Sequence, residues 1–212
     1  MSLLFSECPL PAEIGDILKQ DCPDNFGQIV KIAFWRKGAA PFTASTILLS
    51  ATWATATAAA DNTKVVVTNY LGVPITIPQS TVVEQTSDTN ILAMPERQRL
   101  SNPNVTGSFR SMSADRLKEI DALSPYTQIQ PGVTGLVGVF INTDNQIIYN
   151  KSRADLGFDI FGMAVTDNDA KPIVAGLNEA QLNFYLKGGW SRDAAKLSVV
   201  AFDLLNTYPV SA

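Results

Sequence analysis

The chain has 212 residues, 46% of them hydrophobic and only 17% charged, and its 16 Lys and Arg against 20 Asp and Glu leave a net charge of −4. That balance, with a pI near 4.8, argues against a protein that grips nucleic-acid phosphates, which takes a basic stripe. There is no histidine, which removes the Ser-His and Cys-His nucleophile pairs, the HExxH zinc sites and most mixed zinc sites.

Residues 1–27 read as an irregular N-terminal arm punctuated by Pro9, Pro11, Gly15, Pro23 and Gly27, with one helical turn over Glu13–Leu18. The arm holds both cysteines, Cys8 and Cys22. Two readings stay open for them: free thiols made in a reducing cytosol, or one disulfide closing the N-terminal loop. Gln28–Trp35 is the first strand, and its nearly continuous apolar run predicts that it is well buried. Thr43–Ala60 is rich in Ala and Thr, and a short helix is expected over 46–59. Lys64–Tyr70 reads as a strand of β-branched residues, bent at Gly72 and Pro74, with a short continuation over Val73–Ile77 that Pro78 closes.

Residues 79–104 are a long polar excursion with isolated apolar anchors at Val82, Val83, Ile91, Leu92 and Met94. Unstructured connections of that length are uncommon in compact domains. Such a segment is functional, disordered or ordered by a partner, or it is a long two-stranded excursion, which the alternation in Ser80–Glu84 allows. Thr106–Met112 is a strand that feeds a helix capped by Ser113, with Asp115 in its first turn, an apolar stripe of Leu117, Ile120 and Leu123, and a stop at Pro125. Gly135–Ile141 and Gln146–Tyr149 form a hairpin across Thr143-Asp144-Asn145. Gly157–Thr166 is a further strand. Ala180–Lys187 alternates cleanly, with Leu182, Phe184 and Leu186 on one face. Lys196–Leu205 is expected to be a last strand with Val199, Ala201 and Leu204 facing inward. The order predicts an α+β fold that is mainly antiparallel β: a β-sandwich or barrel with one flanking helix and a long loop excursion, residues 28–212 forming a single domain.

No stretch reads as a membrane span, and the N-terminal sequence has neither the basic region nor the apolar core of a signal peptide. The two Asn-X-Ser/Thr triplets at Asn104 and Asn150 therefore read as accidents of composition. No catalytic, cofactor or metal residue is expected. Gly132, Gly135 and Gly138 have the spacing GxxGxxG and precede a strand, whereas a dinucleotide loop follows one. Glycines of a closely packed strand explain them better. Asp155, Asp159, Asp167 and Asp169 read as solvated turn formers, and Glu13/Asp16 and Glu119/Asp121 are no more than frequent carboxylate pairs. Trp35 and Trp53 read as core, whereas Trp190, after Gly188-Gly189, is the tryptophan expected to be most exposed. Arg97, Arg99, Arg110, Arg116 and Lys118 supply the basic density, either as solvated charges or as partners for an acidic neighbouring subunit.

A surface with so few charges suits a subunit docked to others. Three stretches, Thr52-Trp53 with Ala58–Thr68, Thr106–Leu123, and the strands from Leu136 to Leu205, resemble the tail-tube (major tail) proteins of phages. The chain also looks like virion structural proteins of phages of Bacteroidetes. The resemblance implies a non-enzymatic, self-assembling subunit without cofactor, metal or small-molecule substrate. Its members form hexameric stacked rings whose sheets make one inner barrel, with a long loop reaching the next ring. Partners would be further copies and other virion proteins, with DNA passing non-specifically through an acidic lumen. The location would be the virion, after synthesis in the host cytoplasm, and no membrane is involved. Excursion 79–104 occupies the place of the inter-ring loop, residues 1–27 that of a second arm, and the Ala-rich helix is an addition to the family pattern. Other virion parts (capsid decoration, head fibre base, head-tail connector) share these features, and a carbohydrate-binding or hydrolase β-sandwich is the remaining alternative. Without a histidine, assembly is expected to respond little to pH between about 6 and 8.

Overall fold

The computed structural model describes residues 26–85, 96–110, 112–128, 135–169 and 178–207. Most of the expected arm, including Cys8, Cys22, Glu13 and Asp16, lies outside the described residues, as do residues 86–95 of the excursion and Gly132.

The strands are β1 (Ile29–Arg36), β2 (Val66–Val67), β3 (Leu71–Thr76), β4 (Val82–Gln85), β5 (Glu96–Leu100), β6 (Asn104–Arg110), β7 (Leu136–Asn142), β8 (Gln146–Asn150), β9 (Phe158–Val165), β10 (Glu179–Leu186) and β11 (Ala194–Ser198). The helices are α1 (Ser50–Ala58), α2 (Ala114–Asp121) and α3 (Leu204–Thr207). Six strands close into an antiparallel barrel in the order β1-β7-β9-β10-β6-β3, with the seam where Ile29 of β1 meets Ile75 of β3. The expected class, mainly antiparallel β with few helices, is the one observed.

Strands β1 and β7 belong to two layers at once. The second edge of β7 pairs with β9 at Leu136–Gly138 and with β8 at Phe140 and Ile141. Likewise β1 pairs with β3 at Ile29 and with β2 at Ala33 and Phe34. An outer sheet β2-β1-β7-β8-β11 therefore grows from the barrel wall. Strand side chains alternate between faces. Ile32, Phe34, Leu136 and Phe140 fill the barrel with Phe109, Phe158, Leu182, Phe184 and Leu186. Ala33, Trp35, Val137, Val139 and Ile141 point the other way, into a second core with Phe42, Ile47, Trp53, Ile147 and Leu204. Burial on both faces is why β1 and β7 read as continuous apolar runs rather than alternations.

Helix α1 lids the second core through one large side chain. Trp53 is fully buried, packs on Phe42 at 4.5 Å between ring centroids, and donates from its indole N–H to the Ile47 carbonyl at 2.7 Å. A 3-10 turn over Thr46–Leu48 precedes α1, so the expected helix is split in two. In α2 the Ser113 hydroxyl caps the helix by accepting from the Arg116 N–H, and Ile120 is buried against the barrel core with Leu117 and Leu123 packed beside it. Pro125 does not end α2. It opens a separate 3-10 turn over Ser124–Thr127, where a missing N–H costs nothing.

Two strand expectations are corrected, for 64–77 and for the last strand, and of the readings left open for the excursion the two-stranded one is observed. Only Val66 and Val67 of 64–70 pair, and the longer strand is β3, which runs through Gly72 and Pro74. Its pairing with β6 shifts register on both sides of Val73, and such irregular positions tolerate proline. The excursion is two-stranded: β4 pairs with β5, so Arg97 and Arg99 lie on a strand rather than in a loop. The last strand ends at Ser198. Val199 is buried, Ala201 is exposed, and Leu204 is buried from helix α3.

Candidate functional site

The mouth of the barrel gathers the features left over once the cores are filled. Strand β10 ends there at Leu186, whose N–H donates to the Pro103 carbonyl at 3.1 Å just before β6 begins. The Gly188-Gly189 turn follows. It touches the root of the β4–β5 hairpin so closely that a Cβ on Gly188 would lie 2.4 Å from the Leu100 carbonyl oxygen and 2.8 Å from that of Ser101. Gly189 takes φ +81°, a left-handed value that glycine adopts without strain. The two turn amides donate to the root: Gly188 to the Asn102 side-chain oxygen at 3.0 Å and Gly189 to the Ser80 hydroxyl at 3.1 Å. Ser101 N–H donates to the Thr81 carbonyl at 2.7 Å, and Thr81 N–H to the Ser101 hydroxyl at 2.8 Å. Among the described residues β4 and β5 form ladders with each other alone. The hairpin is therefore clamped at its root, while its strands join neither layer of the main sheet.

Trp190 closes the mouth. Its ring stands edge-on to Phe158 at 5.7 Å and to Phe140 at 6.3 Å, and leans on Phe26 at 5.7 Å. It is half-buried, whereas Trp35 and Trp53 are 2% and 0% exposed, as their sequence context implied. Its seat on the barrel phenylalanines is what sequence reading missed, because those partners lie 32 and more residues away.

The expected solvated turn formers divide. Asp155 is only 6% exposed and Asp159 lies on β9. Arg153 grips both: Nε and Nη2 bond the two Asp155 oxygens at 2.7 and 2.6 Å, and Nη1 bonds Asp159 at 2.8 Å. Lys37 adds a second cation to Asp159 at 2.9 Å, and Gly38 N–H a further donor to Asp155 at 3.3 Å. Burial pushes the Asp155 carboxyl upward, but the hydrogen bonds and charge of Arg153 outweigh it and hold it below its usual range. This cluster staples the 151–157 turn to the end of β1, and it holds the Asp155 carboxylate as an anion rather than poised as an acid. The local signal was present in Arg153-x-Asp155, but Lys37 and Asp159 meet only through the barrel.

Asp167 is exposed, whereas Asp169 closes a backbone pair with Glu179, its carboxylate accepting from Glu179 N–H at 2.6 Å. Glu119 pairs with Arg116 at 3.2 Å on the exposed face of α2, and Asp121, two residues on, points elsewhere. Arg110 meets Glu179 directly across the β6–β10 ladder at 3.3 Å. Gly138 is crowded as a packed-strand glycine should be, since a Cβ there would lie 3.1 Å from the Ala33 carbonyl oxygen. Among the described residues no group of three or more Cys, Asp and Glu side chains is placed to hold a metal ion, and no helix is long and apolar enough to cross a membrane.

One buried charge was not anticipated. On β1 Lys31 alternates with Ala33 and Trp35 onto the outer face, where it is 2% exposed. Its ammonium donates to the Leu205 carbonyl, lies 4.2 Å above the Tyr70 ring, and feels the charge of Asp203. Burial pulls its pKa down to about 8, against a smaller upward push from Asp203.

No protein-family model and no curated protein matches this chain.

Proposed function

We propose that the chain is a self-assembling virion structural subunit, and within that class a subunit of a phage tail tube. The observation that carries the reading is the β4–β5 hairpin. It is fixed in direction by hydrogen bonds at its root, yet its strands pair only with each other among the described residues. A hairpin anchored at its root on a closed barrel suits a subunit that reaches a neighbouring copy. The low charge, and the resemblance of Thr106–Leu123 and of the later strands to tail-tube proteins, support the same reading. In this role the protein performs no chemistry, takes no cofactor or metal, passes DNA without gripping it, and moves from host cytoplasm to virion.

Electron microscopy of the purified full-length protein tests this, with mass measurement across a concentration series. Six-fold rings or tubes are expected. A protein that stays monomeric at the highest concentration refutes self-assembly. Three-fold particles would move it to the capsid-decoration reading and refute the tube.

A further inference from the structure

Two adjoining clefts flank Trp190. One, of about 220 Å³, lies between the 187–193 turn and the side chains of Asn150 and Phe158. The other, of about 500 Å³, lies between that turn and the chain at Phe26 and Ile77–Ser80. They share Leu100, Gly189, Trp190 and Arg192, and so form one groove over the barrel mouth with the indole at its middle.

We propose that this groove binds an acidic oligosaccharide of the uronic-acid class, one ring beside Trp190 in the smaller cleft and further rings along the larger one. The inference is independent of the assembly reading. A sugar site needs an apolar platform for the C–H face of a ring, and a few polar groups to fix its substituents. Trp190 is such a platform, and its contacts with Phe140 and Phe158 hold it in place before any ligand arrives. The smaller cleft falls below the roughly 300–1,000 Å³ of sites for drug-sized ligands, which fits one six-membered ring.

The charges select the kind of sugar. Lys187 and Arg192 line the smaller cleft, both exposed, and neither has a carboxylate partner among the described residues. A guanidinium engages a carboxylate with two parallel hydrogen bonds. The two carboxylates of the same cleft are already engaged: Asp159 by Arg153 and Lys37, and Asp193 by the Ser152 hydroxyl at 2.7 Å. The Ser152 hydroxyl leaves the charge of Asp193 in place, so Lys187 and Arg192 against Asp193 give the cleft a surplus of one positive charge beside an aromatic ring. Single-stranded nucleic acid also offers anions and stacking rings. A chain of net charge −4 disfavours that longer polyanion.

The test is calorimetric titration of the full-length protein with three probes of similar length: a hexagalacturonate, a neutral hexasaccharide and an oligothymidylate. Saturable binding of the hexagalacturonate is expected, with the neutral sugar at least tenfold weaker. Arg192→Ala should weaken binding at least tenfold and Lys187→Ala several-fold. Lys118→Ala, on the exposed face of α2, should leave it unchanged. Both cleft residues are exposed, so thermal melts should match the wild type and separate lost binding from lost folding. Absence of saturable binding to the hexagalacturonate overturns the proposal. So does binding insensitive to both cleft variants, or tighter binding of the oligothymidylate.

Discussion

Replacing Lys31 by methionine isolates the energetic effect of the one amine buried among the described residues. A lysine whose pKa falls from 10.5 to about 8 on folding binds its proton more weakly in the native state than in the unfolded chain. The native state therefore gains stability as pH rises through that window. Below about pH 8 both states are protonated and the full cost of burying the charge is present; above 10.5 both are neutral and it is gone. The shift of 10.5 − 8 = 2.5 units corresponds to about 3 kcal/mol at most. The bond to Leu205 is only part-buried and Asp203 is exposed, so solvent screening lowers that figure. Between pH 7 and 9.5 the integrated change is about 2 kcal/mol before screening and about 1 after it. Urea unfolding at those two pH values, in wild type and in Lys31→Met, measures it. Burial also raises the Tyr70 pKa, an effect of opposite sign at higher pH, and stopping at 9.5 keeps it small. Wild type should gain about 1–2 kcal/mol on the variant over the interval, and at pH 7 Lys31→Met should be no less stable than wild type. A difference between the two proteins that does not change with pH would refute the account.

Other perturbations follow from the same geometry. Trp53→Ala empties the middle of the second core and removes the bond to Ile47, so chemical unfolding should show a loss of about 3–5 kcal/mol. Arg153→Ala leaves Asp155 buried without its main partner and should cost about 3 kcal/mol at pH 7; Asp155→Asn in the same background should recover part of it. Gly188→Ala forces a Cβ onto two carbonyl oxygens of the hairpin root, so hydrogen exchange at Thr81 and Ser101 should quicken while that of β7 stays slow. Trypsin should cut the dispersed chain after the exposed Arg99 and spare it in assembled particles; equal cutting in both states would argue against a hairpin covered by neighbours.

Much of the fold was legible where one physical signal dominated. Strand β10 alternates because one face meets the barrel core and the other meets solvent, and Leu182, Phe184 and Leu186 are all fully buried. The β7–β8 turn was legible from Thr143-Asp144-Asn145, where Asn145 takes φ +55°. Strand β3 was obscured by Gly72 and Pro74, whose usual meaning as breakers is overridden by an irregular ladder. The last strand was overextended because Val199 and Leu204 are apolar for a different reason: they seal the second core from a loop and a short helix. At the mouth, Gly188-Gly189 and the exposure of Trp190 were visible in the sequence. Their union with the hairpin root, and with the Arg153 cluster below, was not, because it depends on barrel closure between residues far apart in the chain.

The shared strands β1 and β7 also carry a hazard of mis-threading. Both faces of β1 are apolar, so a one-residue slip against β7 would not be punished by exposing greasy side chains to water, the usual safeguard of register. What opposes it is Lys31, the charged side chain buried within the strand; Arg36, at its end, is only partly buried. A slip would swing Lys31 from the Leu205 carbonyl into the phenylalanine-lined barrel core, where burying an ammonium is costly. The amine that weakens the native state at neutral pH thus acts as a key cut for one alignment, and Lys31→Met, however stable, should refold with more misaligned molecules than the wild type.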